Sequence, residues 1–281
     1  MDTDEAYILL LLSDSNLPTG SFVASSGLES YATHGFLRGP HDFKDIPNGT
    51  GPIVEFVRHS MATYGRSALP FVADAHQIIE RQLEAVSARS GDHPPSFLQD
   101  LITVDELYDS MTLSHVTRRA SKAQGVALLT LYSKGFAKPR HSEEQVDQRE
   151  AILAQLIDEL KLTIRRELTP GHLPTCWGVL TAALERSQFL HLFLFARGVL
   201  SAAVRMNNLG PYGAQQLLLH TIRPLVEQEA KACSHLRTGL QFPHDDSKEE
   251  LNALDGPAMT WPLGEILACR HDLQHSRVFN S

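Results

Sequence analysis

Apolar residues recur along most of this chain at intervals of three and four, the spacing that aligns one face of an α-helix. Ile53, Val57, Met61 and Tyr64 follow that rhythm, and after Pro70 it continues through Val72, Ala75, Ile79, Leu83 and Val86. Thr103-Val-Asp-Glu106 has the S/T-x-x-E form, in which a hydroxyl and a carboxylate satisfy free helix-start amides. It is predicted to open a helix that runs to about Tyr132. Ser142-Glu-Glu-Gln145 sends the same signal for a helix over 143–168, which Thr169-Pro-Gly then stops. Further helices are predicted over 173–186, 187–206 and 212–236, the last kinked at Pro224. No two-residue hairpin turn stands between alternating runs, so no sheet is expected.

Between these stretches lie four polar segments rich in Gly, Pro or charge, at 38–52, 87–96, 133–141 and 238–258, each read as a loop. The last is acidic and sets a short C-terminal piece apart. The pattern therefore predicts an all-α, single-domain helical bundle over 1–237, a polar linker over 238–258, and a mobile C-terminal tail over 259–281.

Charge and cysteine content narrow the functional classes. With 33 acidic and 25 basic residues the formal charge is −8, which argues against a broad nucleic-acid footprint. Cys176, Cys233 and Cys269 are odd in number and form no CxxC pair, so a reducing, cytoplasmic setting is expected rather than a disulfide framework. The apolar run near the start follows acidic residues, unlike a secretory leader. The most apolar stretch, 189–206, carries His191, Arg197 and Arg205. A central arginine in a bilayer costs roughly 2.5–3.5 kcal/mol, so this reads as a buried helix and no membrane span is expected.

Candidate chemistry is sparse. Residues 13–36, SDSNLPTGSFVASSGLESYATHGF, have the small residues of a phosphate loop but no lysine, and no Gly-Lys pair occurs in the chain. A G-x-S-x-G elbow is absent too. The same residues read more simply as helix punctuation: Ser13–Asn16 end one helix, Leu17-Pro18 turn the chain, and Ser26-Gly-Leu-Glu29 cap a second helix that Gly35 ends. That leaves Phe22 and Val23 as apolar residues in a loop of small ones. His271 and His275 are four apart and would share a face if helical, but two imidazoles fall short of a closed metal site. His115, His172 and His191 sit in apolar helical contexts and read as hydrogen-bonded groups rather than ligands. Arg118, Arg119 and Lys122 make a basic cluster in which Arg118 and Lys122 share a face, which either pairs with nearby carboxylates or meets a partner. Glu29, Glu167 and Glu185 form no recognisable acid pair.

Several stretches taken together resemble the urease accessory protein F family, in the same order and nearly end to end. They are LLLLSDSNLPTGSFVASSGLESYATHGF, SHVTRRASKAQGVALL, GHLPTCWGVL, ARGVLSAAVRMNNLGPYGAQQLL and WPLGEILACRHDLQHSRVFNS. The resemblance implies an all-α protein that forms a homodimer and is not an enzyme. It would bridge accessory protein D (H in some organisms) and the GTPase accessory protein G during delivery of nickel to the urease apoprotein. It implies no cofactor of the chain's own, nickel and GTP being handled by the complex. Carried over by position, the tail arginine of the family is Arg277, supported by Arg270. Phe279, Phe22, Glu29, Arg118 and Lys122 are the other residues expected to meet partners. Leu263, Ile266, Leu267, Leu273, Val278 and Phe279 make the tail apolar enough to gain by docking into a groove. A chain that carries nickel itself, on the tail histidines, is the alternative.

Overall fold

A computed structural model of the chain describes residues 3–14, 24–37, 51–87, 97–136, 148–182, 184, 186–242 and 255–280. Among the described residues every regular element is helical. The central one, α3 (Gly51–Ser87), joins both halves of the first apolar pattern into a single 37-residue helix that runs through Pro70. The buried side is the expected one: Ile53, Val57, Met61, Val72, Ala75, Ile79 and Leu83 all lie in the core. Pro70 has no N–H for the Arg66 carbonyl four residues earlier. That carbonyl accepts instead from the N–H of Ala258, at 3.3 Å, on the chain leading into the tail.

Before α3 come α1 (Thr3–Leu12) and α2 (Leu28–Thr33). Ser13 stops α1 as predicted, its hydroxyl donating to Leu10 O at 2.8 Å. The cap expected on α2 is different: Gly27, at φ 87°, holds the N-cap position without a side-chain bond, and Glu29 turns elsewhere. Gly35, at φ 86°, ends α2 as expected.

The helix predicted from Thr103 to Tyr132 is two. Its first half, α4 (Phe97–Met111), begins six residues before Thr103, whose hydroxyl back-bonds to Gln99 O at 2.9 Å instead of capping. The second, α5 (His115–Leu131), is capped by Ser114, whose side chain accepts from the N–H of Thr117. The helix expected over 143–168 is α6 (Gln148–Arg165); residues 142–147 lie outside the described ones. The next two are α7 (Leu173–Leu180), shorter than predicted, and α8 (Ser187–Arg205). The kink expected at Pro224 is a π-helical turn, Leu218–Ile222, between α9 (Pro211–Leu217) and α10 (Arg223–Cys233). The final helix, α11 (Pro262–Cys269), belongs to the tail. It packs on α5 and α2, so in this structure the segment predicted to be mobile is seated on the body. Of the linker, 243–254 lie outside the described residues, as do most of the other three predicted loops.

α3 packs against α4, α6, α7, α8 and α10, and α7 is wedged between α3 and α5. Two glycines allow that wedge. A Cβ at Gly178 would lie 2.5 Å from the Val72 carbonyl oxygen, and one at Gly125 would lie 2.2 Å from that of Gly171. The start of α7 is fixed by a buried carboxylate on α4. Asp105 accepts from Thr169 Oγ1 and Gly171 N, both at 2.6 Å, and from His172 N at 2.9 Å. His172 is itself buried, with Nε2 2.9 Å from Asp109 Oδ1. Asp109 also meets Lys122 at 2.7 Å and Arg118 at 3.7 Å. The basic face read from the sequence is therefore met, chiefly at Lys122, by one carboxylate of α4.

α8 is long and apolar enough to cross a membrane by length and composition, but Leu190, Leu192, Ala196, Val199 and Leu200 spend that apolarity on the core. His191 sits among them, Nε2 2.9 Å from the Tyr64 hydroxyl and its ring 5.1 Å from that of Trp177. Burial pushes its imidazole down from 6.5 to about 3.

Two outcomes follow from this packing. Gly178→Ala would drive a methyl against backbone, which yields less than a side chain does. It should cost about 1–3 kcal/mol, seen as a lower denaturant midpoint with far-UV dichroism retained below it. His191 gives stability a pH slope. Its folded value lies below the unfolded one, so the unfolded chain takes the proton first and stability falls as pH drops below 6.5 towards about 3. At about 1.4 kcal/mol per pH unit, going from about pH 6.5 to 5 should cost about 2 kcal/mol through this residue. His191→Gln should flatten the slope by that amount in denaturation at the two pH values.

Candidate partner-binding surface

The tail is fastened to the body by polar bonds at several places. Trp261, just before α11, lies edge-on to Phe56 at 5.4 Å and stacks on His59 at 5.7 Å. Thr260 and Thr63 share a hydroxyl–hydroxyl bond of 2.8 Å. After α11 the chain makes one 3₁₀ turn, His271–Leu273, and then runs without regular structure. Glu29, in the first turn of α2 and buried, meets that run: Oε1 accepts from Val278 N at 2.5 Å and Oε2 from Phe279 N at 3.1 Å. The Phe279 carbonyl accepts from His271 Nε2 at 3.1 Å. Arg270 Nε donates to His34 Nε2 at 2.9 Å, and His34 Nδ1 in turn donates to Ser30 O at 2.7 Å.

Asp272 is the surface counterpart of Glu29. Arg119 grips it with both terminal nitrogens, at 2.9 and 3.1 Å, and gives a further bond to Asn280 O at 2.7 Å. Arg277 Nη1 reaches Asp272 Oδ1 at 2.5 Å and His115 Nε2 reaches Oδ2 at 3.1 Å. The Arg119 hydrogen bonds, aided by His115 and Arg277, hold the Asp272 carboxyl well below the usual carboxylate range.

The apolar tail residues divide between two sides. Leu267, 3% exposed, and Phe279, 5% exposed, dock into this chain's own core. Ile266, Leu273 and Val278 are 58%, 75% and 64% exposed and face outward with Leu263. Phe279 and Glu29, both expected to meet a partner, here meet each other, the amide of one bound to the carboxylate of the other. Arg277 stays accessible beside the exposed apolar residues, its side chain 40% exposed. Arg270 is exposed as well, while Phe22 lies outside the described residues. His271 and His275 do not share a helical face: α11 ends at Cys269, His271 is buried, and His275 is exposed. Among the described residues no group of three His, Cys, Asp or Glu is placed to hold a metal ion.

Sequence reasoning placed Arg119 in the basic cluster but counted neither it nor Asp272, the centre of this surface, among the residues expected to meet partners. Arg119 is one position out of register with the Arg118/Lys122 face, and that offset is the signal that it serves a different neighbour. Glu29→Gln would replace one acceptor oxygen with a donor facing a backbone N–H. Amide exchange at Val278 and Phe279 should then quicken about tenfold or more, since a buried donor without its partner loses about 1–3 kcal/mol. Amides in the middle of α3 should be unchanged in the same mass-spectrometric measurement.

Known proteins share this sequence over most of its length. The family model described as UreF matches residues 53–222. Urease accessory protein 6 of Cryptococcus neoformans var. grubii is 42% identical over 308 aligned residues, covering 99% of this chain and 97% of its own. An uncharacterized UreF-like urease accessory protein of Schizosaccharomyces pombe is 26% identical, with the same two coverages of 99% and 97%. Urease accessory protein F of Arabidopsis thaliana is 26% identical over 77% of this chain and 74% of its own. This chain belongs to the UreF family of urease accessory proteins, with the role in urease maturation and the association with other accessory proteins that membership implies.

Proposed function

We propose that this chain is a scaffold of the urease maturation complex. It bridges accessory protein D/H and the GTPase accessory protein G, and so supports GTP-dependent nickel insertion into the urease apoprotein. It acts as a cytoplasmic homodimer, with nickel and GTP handled by its partners rather than by a cofactor of its own.

The observation that carries this reading is the two-sided tail. A free, wholly solvated peptide would gain little from Leu267 and Phe279, whereas here they hold the segment in place while Ile266, Leu273 and Val278 remain exposed next to Arg277. Apolar residues beside an arginine fork suit a protein interface, where aromatic and arginine contacts carry much of the energy. Arg277 is pre-oriented by Asp272, which lowers the ordering cost on binding.

Co-purification with tagged accessory proteins D/H and G tests the bridge. Arg277→Ala should lose recruitment of protein G by at least about tenfold, a loss of ~1.4 kcal/mol or more as for an interface arginine. Its circular dichroism and unfolding midpoint should match the parent. Recruitment of protein G at the parent level would refute the assignment of Arg277.

A further inference from the structure

A cavity of about 160 Å³ lies between the tail and the body, under α11. Its walls include Tyr64 of α3, Tyr108 of α4, Trp177 of α7 and Phe195 of α8, with Trp261 and Glu265 on the tail side. That is about the size of an engineered cavity that takes one benzene, so it holds one compact organic molecule.

Glu265 is the anomaly in this cavity. The fully buried carboxylates are met by donors: Asp105 by three bonds, Glu29 by two backbone amides, Asp74 by the N–H of Thr238 at 3.0 Å. Glu265 is half-buried, but its Oε2 is shut off from solvent and has no hydrogen-bond partner. Burial pushes its carboxyl up from the ordinary value, as expected where no cation offsets desolvation. Among the described wall residues there is neither lysine nor arginine. His191, pushed down to about 3, adds no positive charge near neutrality, and His271, the other wall histidine, has Nε2 bonded to Phe279 O and Nδ1 4.0 Å from Glu29 Oε2.

What this site lacks is a cation carrying N–H donors. Its ring faces favour a cation through their quadrupoles, and they also accept a short carbon chain. The Thr63 hydroxyl oxygen, on the same walls and bonded once to Thr260, keeps a lone pair able to accept a further N–H group. An anion would meet Glu265 with like charge, and a neutral apolar molecule would leave its oxygen unpaired.

We propose that this cavity binds a small primary ammonium ion, with Glu265 accepting its N–H donors and the aromatic walls covering its carbon chain. The proposal stands independently of the scaffold function. A ligand of so few heavy atoms binds in roughly the millimolar range at best.

The chain supplies its own reporter. It contains two tryptophans, Trp177 and Trp261, and both line the cavity. Intrinsic fluorescence of the full-length protein is titrated with ethylammonium chloride, with ethanol as the uncharged analogue and sodium chloride as the ionic-strength control. The expected result is a saturable change with ethylammonium alone, weakened tenfold or more by Glu265→Gln. No saturable change overturns the proposal, as does an equal response to ethanol or sodium chloride, or unaltered binding by a folded Glu265→Gln protein. If that variant does not fold, the parent protein decides through thermal unfolding. Its midpoint must rise in ethylammonium chloride relative to the same concentration of sodium chloride, and equal midpoints overturn the proposal.

Discussion

A carboxylate removed from water is costly unless donors meet it, and among the described residues three fully buried ones tie distant stretches of chain together. Asp105 on α4 gathers Thr169, Gly171 and His172 and so fixes where α7 begins. Asp74 on α3 takes the Thr238 N–H and holds the chain that leaves α10. Glu29 on α2 takes the amides of Val278 and Phe279. In each case a helix supplies the acceptor and an irregular segment supplies backbone N–H groups that would otherwise be stranded. Apolar burial drives the helices together, but these three acceptors specify how the non-helical segments run between them.

The same arrangement gives the tail its double character. Its inner side is integral to the core through Leu267 and Phe279, and its outer side presents Ile266, Leu273 and Val278. Arg277 is shared with Asp272, which Arg119 also holds, so the outer face has ordered charge as well as apolar area. A member of the UreF family, whose role is tied to other accessory proteins, here carries a docked and partly apolar surface rather than a detached peptide end.

The helical content was legible because periodicity at three and four residues is a local property. The face of α3 from Ile53 to Leu83 is buried as its spacing implied. Helix boundaries were less legible: Thr103 sits in the middle of α4 because the helix gains apolar contacts from Leu101, which outweigh a capping signal. Ser114, with no glutamate three residues on, is the cap that forms. The candidate site was hardest to read. Arg277 and Arg270 could be pointed to by resemblance, but the pairings of Arg119 with Asp272 and of Glu29 with Phe279 N–H span 153 and 250 residues. No local pattern encodes such pairs; only the folded helices bring them together.

Pro70 shows how a local defect can become a long-range requirement. A proline within a helix is ordinarily a fault, and a residue of higher helical propensity there would let α3 close its own ladder at Arg66. The Arg66 carbonyl would then divide its lone pairs between that new N–H and the Ala258 N–H, so the more regular helix would hold the chain leading to the terminus less firmly. Selection for a straighter, stronger central rod and selection for a well-placed chain end thus pull in opposite directions at one ring.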